Sequence, residues 1–517
     1  MFRSKLRSAL PALILLGLAG LLAAEDPSAP LAARLDEILA RPSAQRATWG
    51  VLIADLDSGE TLFAHDEDKL FVPASNAKVY ATSLALSRLG PEMRFSTKLL
   101  ADGALSNGVL RGDLVLVGGG DPNLSSRHLP YNPKIEFRED RLEPMRELAR
   151  AAKAAGVTAV EGDVVGDATR YVWEPFPPGW SLEDVSWGYG APVSALTFND
   201  NTMDILVRPG SGAGQPAALK ITPPLEYFNL RNLTRTAPSQ TVARRLEMQL
   251  HFGQRRLDLW GQISQRSPGR EMNVAVDDPA LFAAMALHRA LEEEGVKVKG
   301  AARGRYVETY DVGDLKAQSN PPAPPRGVEI ASRESASLAA ILQALNKDSL
   351  NLHAEMLLRE VGYQRRNVGS VDAGIEEMRD FLQESGLSPW EFFLEDGSGL
   401  SRKNLVSPAG TVKLLRAMYG SEARAAWVDS LPIAGEDGTL DWRFSKTAAR
   451  GRIHAKTGTL SHVTALAGYA TALNGRELVF AVYVNNFGVS TSYIRNLVDL
   501  MLVEAVTAPD SPAIPAP

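Results

Sequence analysis

The chain has 517 residues, 45% of them apolar and 22% charged, with a net charge of −6 and no cysteine. Such a composition fits a globular chain of roughly two to four domains with ample core. It offers no basic block for a nucleic-acid partner, and it excludes disulfides, a cysteine-linked lipid and a thiol nucleophile.

Taken in order, the chain opens on Arg3, Lys5 and Arg7, followed by an uncharged Leu/Ala-rich run from Ala9 to Ala24. The run is shorter than the ~18–20 residues of a spanning helix. It predicts a signal peptide over 1–24 that delivers the chain to the periplasm, with an uncleaved anchor as the alternative. Leu22 stands where cleavage sites usually carry a small residue, so the position of the cut stays open. Residues 31–39 have helical spacing, and 49–57 with 61–64 predict a hairpin around Asp57-Ser58-Gly59. Residues 76–89 are apolar on most faces, which predicts a buried helix closed by Gly90.

Strands are expected at 95–100 and 110–117 around Asn107-Gly108, an amphipathic helix at 142–155 and a short strand at 162–167. Segment 173–189, rich in Trp, Pro and Gly, reads as an ordered loop with aromatic anchors. Asp278-Pro279 starts a helix that ends at Glu294-Gly295. The Pro-rich run 320–325 is the clearest linker. Helices follow at 337–345, 353–362, 371–386 and 408–419, then strands at 451–456, 465–473 and 477–485, a helix at 492–506, and a Pro-rich tail, 508–517, expected to be disordered.

Three short motifs carry chemistry. Ser75 and Lys78 lie one helical turn apart at the start of the buried helix, so a hydroxyl faces an amine on one side. A serine needs a base within hydrogen-bond reach, and a lysine serves only if burial or another cation lowers its pKa. Ser349-Leu350-Asn351 falls between two helices, and Lys456-Thr457-Gly458-Thr459 ends a strand. Each has a plain reading: a helix start with a solvated lysine, a capping loop, a strand end. Yet Ser-x-x-Lys, Ser-x-Asn and Lys-Thr-Gly each occur once, in that order, a combination that marks penicillin-binding proteins and class A β-lactamases. The scattered histidines show no metal-site spacing, and no metal or other cofactor is expected.

On these motifs the chain resembles the low-molecular-mass class C penicillin-binding proteins, the D-alanyl-D-alanine carboxypeptidase/endopeptidases of peptidase family S13. Further segments carry the likeness: Gly112-Asp-Leu-Val-Leu-Val-Gly-Gly-Gly-Asp-Pro122, Tyr189-Gly-Ala-Pro-Val-Ser-Ala-Leu196 and Asp396-Gly-Ser-Gly-Leu-Ser401. The family has a large insertion between its first two motifs, and here that gap spans more than half the chain. Class A β-lactamases have a short gap and a Glu-x-x-Leu-Asn segment that this sequence lacks.

The resemblance implies an α/β (α+β) fold of the β-lactamase/transpeptidase type, an antiparallel sheet flanked by helices. The catalytic domain would be split into 25–94 and 327–517. The insertion would comprise a mainly β domain (95–120 and 194–326) around a nested α/β piece (121–193). It implies catalysis by Ser75, Lys78, Ser349 and Asn351. Lys456, Thr457, Gly458 and Thr459 would bind substrate, and backbone N–H groups of Ser75 and Thr459 would form the oxyanion hole. Asp184 and Tyr189 would reach in from the insertion toward a diaminopimelate side chain. The implied partners are peptidoglycan stem peptides, with β-lactams as inhibitors, peripheral membrane association and a homodimer as further possibilities. A β-lactamase, an esterase or amidase on the same fold, and a non-catalytic wall-binding protein are the rival readings.

Overall fold

The computed structural model describes residues 30–239 and 245–507. The expected signal peptide and Pro-rich tail lie outside the described residues.

A five-stranded antiparallel sheet organises both ends of the chain. Its order is Ile453–Leu460, Val463–Thr471, Glu477–Asn485, Thr48–Asp55 and Thr61–His65. Side chains alternate across a strand, so one strand serves two cores. In Glu477–Asn485, Val479, Ala481 and Tyr483 enter one core, while Leu478, Phe480, Val482 and Val484 enter the other. The second core is closed by helices Leu31–Leu39 and Thr491–Thr507. The first is closed by helices Ala77–Leu89, Leu338–Asp348, Asn351–Arg366, Val371–Glu384, Pro408–Tyr419 and Arg424–Ser430. Each fully buried Leu, Val or Phe contributes ~1.5–3 kcal/mol, so a strand packed on both faces holds firmly. Ser337, Ser370 and Ser407 fix three of these helix starts by accepting from backbone N–H groups of Ala340, Ala373 and Gly410. Helix Ala77–Leu89 is buried from Ala77 to Leu86, as a sequence apolar on most faces predicts.

The intervening segment builds its own core around a seven-stranded sheet. It leaves and rejoins the first core at one place. Ser335 N–H donates to Phe95 O at 2.9 Å, and Phe95 N–H donates to Ser335 Oγ at 2.9 Å. Two features differ from the expected division. Strand Val328–Glu334 pairs antiparallel with Ser96–Ser106, so residues placed in the catalytic domain from 327 lie in the insertion's sheet as far as Glu334. Strands Ala159–Val160 and Val164–Val172, expected in a nested piece, pair parallel with Val109–Val117 in that same sheet. Parallel partners are joined through long crossovers, which local sequence pattern does not reveal. Two three-stranded sheets, Arg270–Ala275/Thr202–Arg208/Ala218–Thr222 and Glu247–His251/Arg256–Ser264/Asn229–Ala237, complete the segment.

The edge strand of the main sheet also exceeds its expected span of 451–456. It runs through Lys456-Thr457-Gly458-Thr459 to Leu460, paired residue by residue with Val463–Thr471. The β-branched threonines suit this half-buried pleat, and Ser461-His462 makes the two-residue turn, with His462 at φ 61°. Among the described residues no helix is long and apolar enough to cross a membrane.

Candidate active site

Ser75 sits in a 3₁₀ turn, Ala74–Asn76, that runs directly into helix Ala77–Leu89. Ala74 takes φ 48°, a left-handed conformation that costs energy for a residue with a Cβ. Two glycines press on this turn. A Cβ on Gly399 would overlap Ala74 O, and one on Gly458 would stand 2.5 Å from Pro73 O. Asn76 Nδ2 donates to Lys456 O at 3.0 Å, tying the turn to the edge strand. Ser75 is thereby left half-buried at the mouth of a cleft of about 350 Å³, lined also by Asp184, Tyr189, Ser349, Asn351 and Thr459.

The three motifs meet here. Lys78 Nζ donates to Ser75 Oγ at 3.0 Å, to Asn351 Oδ1 at 2.6 Å and to Ser398 O at 2.6 Å. All three ammonium directions have acceptors, so the amine is held on the hydroxyl. Ser349 caps helix Leu338–Asp348 in the left-handed region, φ 60°, and Asn351 opens the next helix. Lys456 Nζ donates to Ser349 Oγ at 2.9 Å and to Thr457 O at 2.9 Å. Thr457 directs its hydroxyl to Thr439 Oγ1, 2.8 Å away. From the insertion, Tyr189 O accepts from Asn351 Nδ2 at 2.8 Å, and Tyr189 OH donates to Asp184 Oδ1 at 3.0 Å. Every site residue expected from sequence is therefore at or beside one cleft.

Known proteins resemble this chain along most of its length. The model of the D-Ala-D-Ala carboxypeptidase 3 (S13) family matches residues 31–505. The chain belongs to the S13 family. A D-alanyl-D-alanine carboxypeptidase of Actinomadura sp. (strain R39) is 34% identical over 87% of this chain and 80% of its own. A crystal structure of penicillin binding protein 4 from Haemophilus influenzae superposes with a TM-score of 0.75 at 23% identity, covering 91% of this chain and 97% of that one. The same protein complexed with a β-lactam gives 0.70 at 22% identity, covering 92% and 99%. This S13 chain is accordingly a D-Ala-D-Ala carboxypeptidase-class hydrolase with the penicillin-binding protein fold.

Electrostatics gives the S13 site its character. Burial lowers the Lys78 pKa to about 7, against the opposing pull of Asp396 and Glu355. The sequence allowed either burial or another cation as the cause, and burial is the source. The repulsion between the two amines registers on Lys456, which burial and then Lys78 push well below the ordinary lysine value.

Sequence reasoning missed Glu355, which lies one turn after Asn351 and is wholly buried. Its Oε1 accepts from the backbone N–H groups of Gly397 (3.0 Å) and Ser398 (2.8 Å), presenting Ser398 O to Lys78. Burial, with Asp396 beside it, raises its pKa to about 7. Asp396 holds the same loop by accepting from Gly399 N–H and Ser401 N–H, both at 2.8 Å, and from Asn404 Nδ2 at 2.6 Å, and it also accepts from Trp180 Nε1 at 2.9 Å. The Asp-Gly-Ser-Gly segment was visible in sequence; its tie to Lys78 was not. Among the described residues no group of three or more His, Asp or Glu is placed to hold a metal ion.

Proposed function

We propose that the protein cleaves the bond after a D-alanine carbonyl in peptidoglycan stem peptides, through an acyl-enzyme on Ser75. The observation that carries this reading is the buried Lys78 amine, 3.0 Å from Ser75 Oγ and with a pKa near neutrality. Ser75 Oγ attacks the carbonyl carbon as its proton passes to Lys78 Nζ. Backbone N–H groups of Ser75 and Thr459 receive the oxyanion. The C–N bond then breaks, and the departing amine takes a proton through Ser349 Oγ, which Lys456 replenishes. Water then adds to the ester carbonyl and gives its proton through Ser349 to Lys456, and as the C–O bond breaks the Lys78 proton returns to Ser75 Oγ, so the acyl peptide leaves as a carboxylic acid and both lysines regain their starting states. Asn351 orients Lys78 and bonds the substrate amide. A substrate carboxylate beside Lys456 favours its charged form, so Lys456 and Thr457 are matched to an anionic terminus. Gly458 lets the edge strand pack against the Ser75 turn, and the strand's outer edge takes the substrate as an added strand.

A β-lactam presents the same carbonyl and leaves an ester that hydrolyses slowly; the Haemophilus influenzae relative has been seen with one bound. In this reading 30–94 and 336–507 form the catalytic unit and 95–335 the insertion, which supplies Asp184 and Tyr189 to recognise the substrate side chain. The basic, then apolar start from Arg3 to Ala24 supports export to the periplasm. Digestion of purified muropeptides, monomeric and cross-linked, with products read by mass, tests the proposal. Loss of a terminal D-alanine or scission of dimers is expected; neither product would overturn it.

A further inference from the structure

Ser349 takes φ 60°, a left-handed conformation that persists in a residue with a Cβ only where its surroundings enforce it. Lys456 fixes its hydroxyl, but the chain on either side is gripped by the insertion. Before Ser349, Asp348 Oδ2 accepts from Arg127 Nη1 at 3.3 Å. After it, His353 Nε2 donates to Asp200 Oδ1 at 3.3 Å.

Both grips meet at Asp200. Arg127 Nη2 donates to Asp200 Oδ2 at 2.6 Å, so one carboxylate joins the guanidinium that holds Asp348 to the imidazole of His353. Arg127 and His353 are buried, and bonds between charged groups are strong when water is kept from them. Burial works against the Asp200 charge, but Arg127 and His353 hold its carboxyl well below the ordinary range.

The turn that carries Asp200 is strained. Asn199, Asp200 and Asn201 have φ values of 49°, 53° and 55° in succession, and left-handed backbone is costly for each. Side chains maintain it: Asn199 Nδ2 donates to Thr202 O at 2.8 Å, and Asn201 Nδ2 to Pro192 O at 2.9 Å. The strain is what aims the Asp200 carboxylate out of the insertion at helix Asn351–Arg366.

We propose that Asp200 is a positioning residue which, through Arg127–Asp348 on one side and His353 on the other, holds the Ser349 hydroxyl against the departing amine. The inference rests on the DD-peptidase reading, in which Ser349 passes a proton from Lys456 to that amine, and deepens it. The insertion thereby governs one step, protonation of the leaving group. Attack by Ser75 is independent of the clamp, because Asn351 is fixed separately by Lys78 Nζ and Tyr189 O. A leaving group that departs without a proton, such as a thiolate, is therefore indifferent to Asp200.

The test uses the purified protein and two substrates with the same acyl-D-alanyl group, a peptide that releases D-alanine and a thioester that releases a thiolate. Asp200→Asn keeps the shape of the side chain and removes its charge. The peptide kcat/KM, which reports acylation, should fall about tenfold or more, while the thioester value stays within about twofold. Asp348→Asn, at a partly exposed position, should show the same split at about threefold. General loosening of the fold lowers both substrates together. An equal fall on the two, or an unchanged peptide rate, would overturn the positioning role while leaving the peptidase reading intact. Should Asp200→Asn not fold, Asp348→Asn decides by the same criterion. A wild type inert on both substrates would overturn the peptidase reading and this inference with it.

Discussion

Lys78 is held between two opposed influences, the burial that favours its neutral form and the Asp396 and Glu355 carboxylates that favour its charge. A base with a pKa of about 7 makes acylation by a β-lactam fall about tenfold per pH unit below that value and level off above it. Stopped-flow acylation between pH 5 and 9 checks this. The same group affects stability. Its folded value lies below its ordinary 10.5, so the unfolded chain binds the extra proton between those limits. Lys78 therefore costs stability in full below about pH 7, and the cost fades as pH rises toward 10.5. Glu355→Gln keeps the shape of the acceptor and removes one anion. The midpoint of the acylation profile should move to lower pH, by less than about one unit because Glu355 is itself partly neutral near pH 7; a move to higher pH contradicts the assignment. That Ser75, Lys78, Ser349, Asn351 and Lys456 would meet was legible in sequence because the three short motifs fix residue types at close spacings. Glu355 was not, because in sequence it is one more carboxylate on a helix, and only burial distinguishes it.

At the level of elements, the site depends on the contact between a strained turn and a strand. Gly458 lies against Pro73 O because strand Ile453–Leu460 continues through the Lys-Thr-Gly segment. Gly458→Ala would place a methyl 2.5 Å from Pro73 O and force the Ser75 turn outward. We expect a loss of ~1–3 kcal/mol in stability, measured by denaturant unfolding. Acylation should slow by at least about tenfold, because displaced reacting groups cost far more rate than stability. The helices around the first core were readable from apolar spacing and serine caps. The full edge strand was not, because two threonines around a glycine are too short a signal alone, and pairing with Val463–Thr471 completes the strand.

For the molecule as a whole, the insertion lines part of the cleft. It enters and leaves at Phe95 and Ser335 but returns to the site through Trp180, Asp184 and Tyr189. Trp180→Phe keeps the ring and deletes the donor to Asp396. It should cost about 1 kcal/mol of stability and slow acylation several-fold, read by thermal unfolding and labelling rate. Unchanged rates would mean that the loop only packs there. That an insertion exists was clear from the spacing of the motifs. Its internal sheet order was not, because parallel pairing of Val109–Val117 with Val164–Val172 joins distant segments that carry no local mark of one another. The central claim, that Ser75 is the acylated nucleophile, is tested most directly by mass spectrometry of the protein after exposure to a β-lactam. The account predicts one adduct of the drug's mass on the peptide containing Ser75, and none on Ser75→Ala protein that is still folded. An adduct on another residue, or an undiminished adduct on Ser75→Ala, would contradict it.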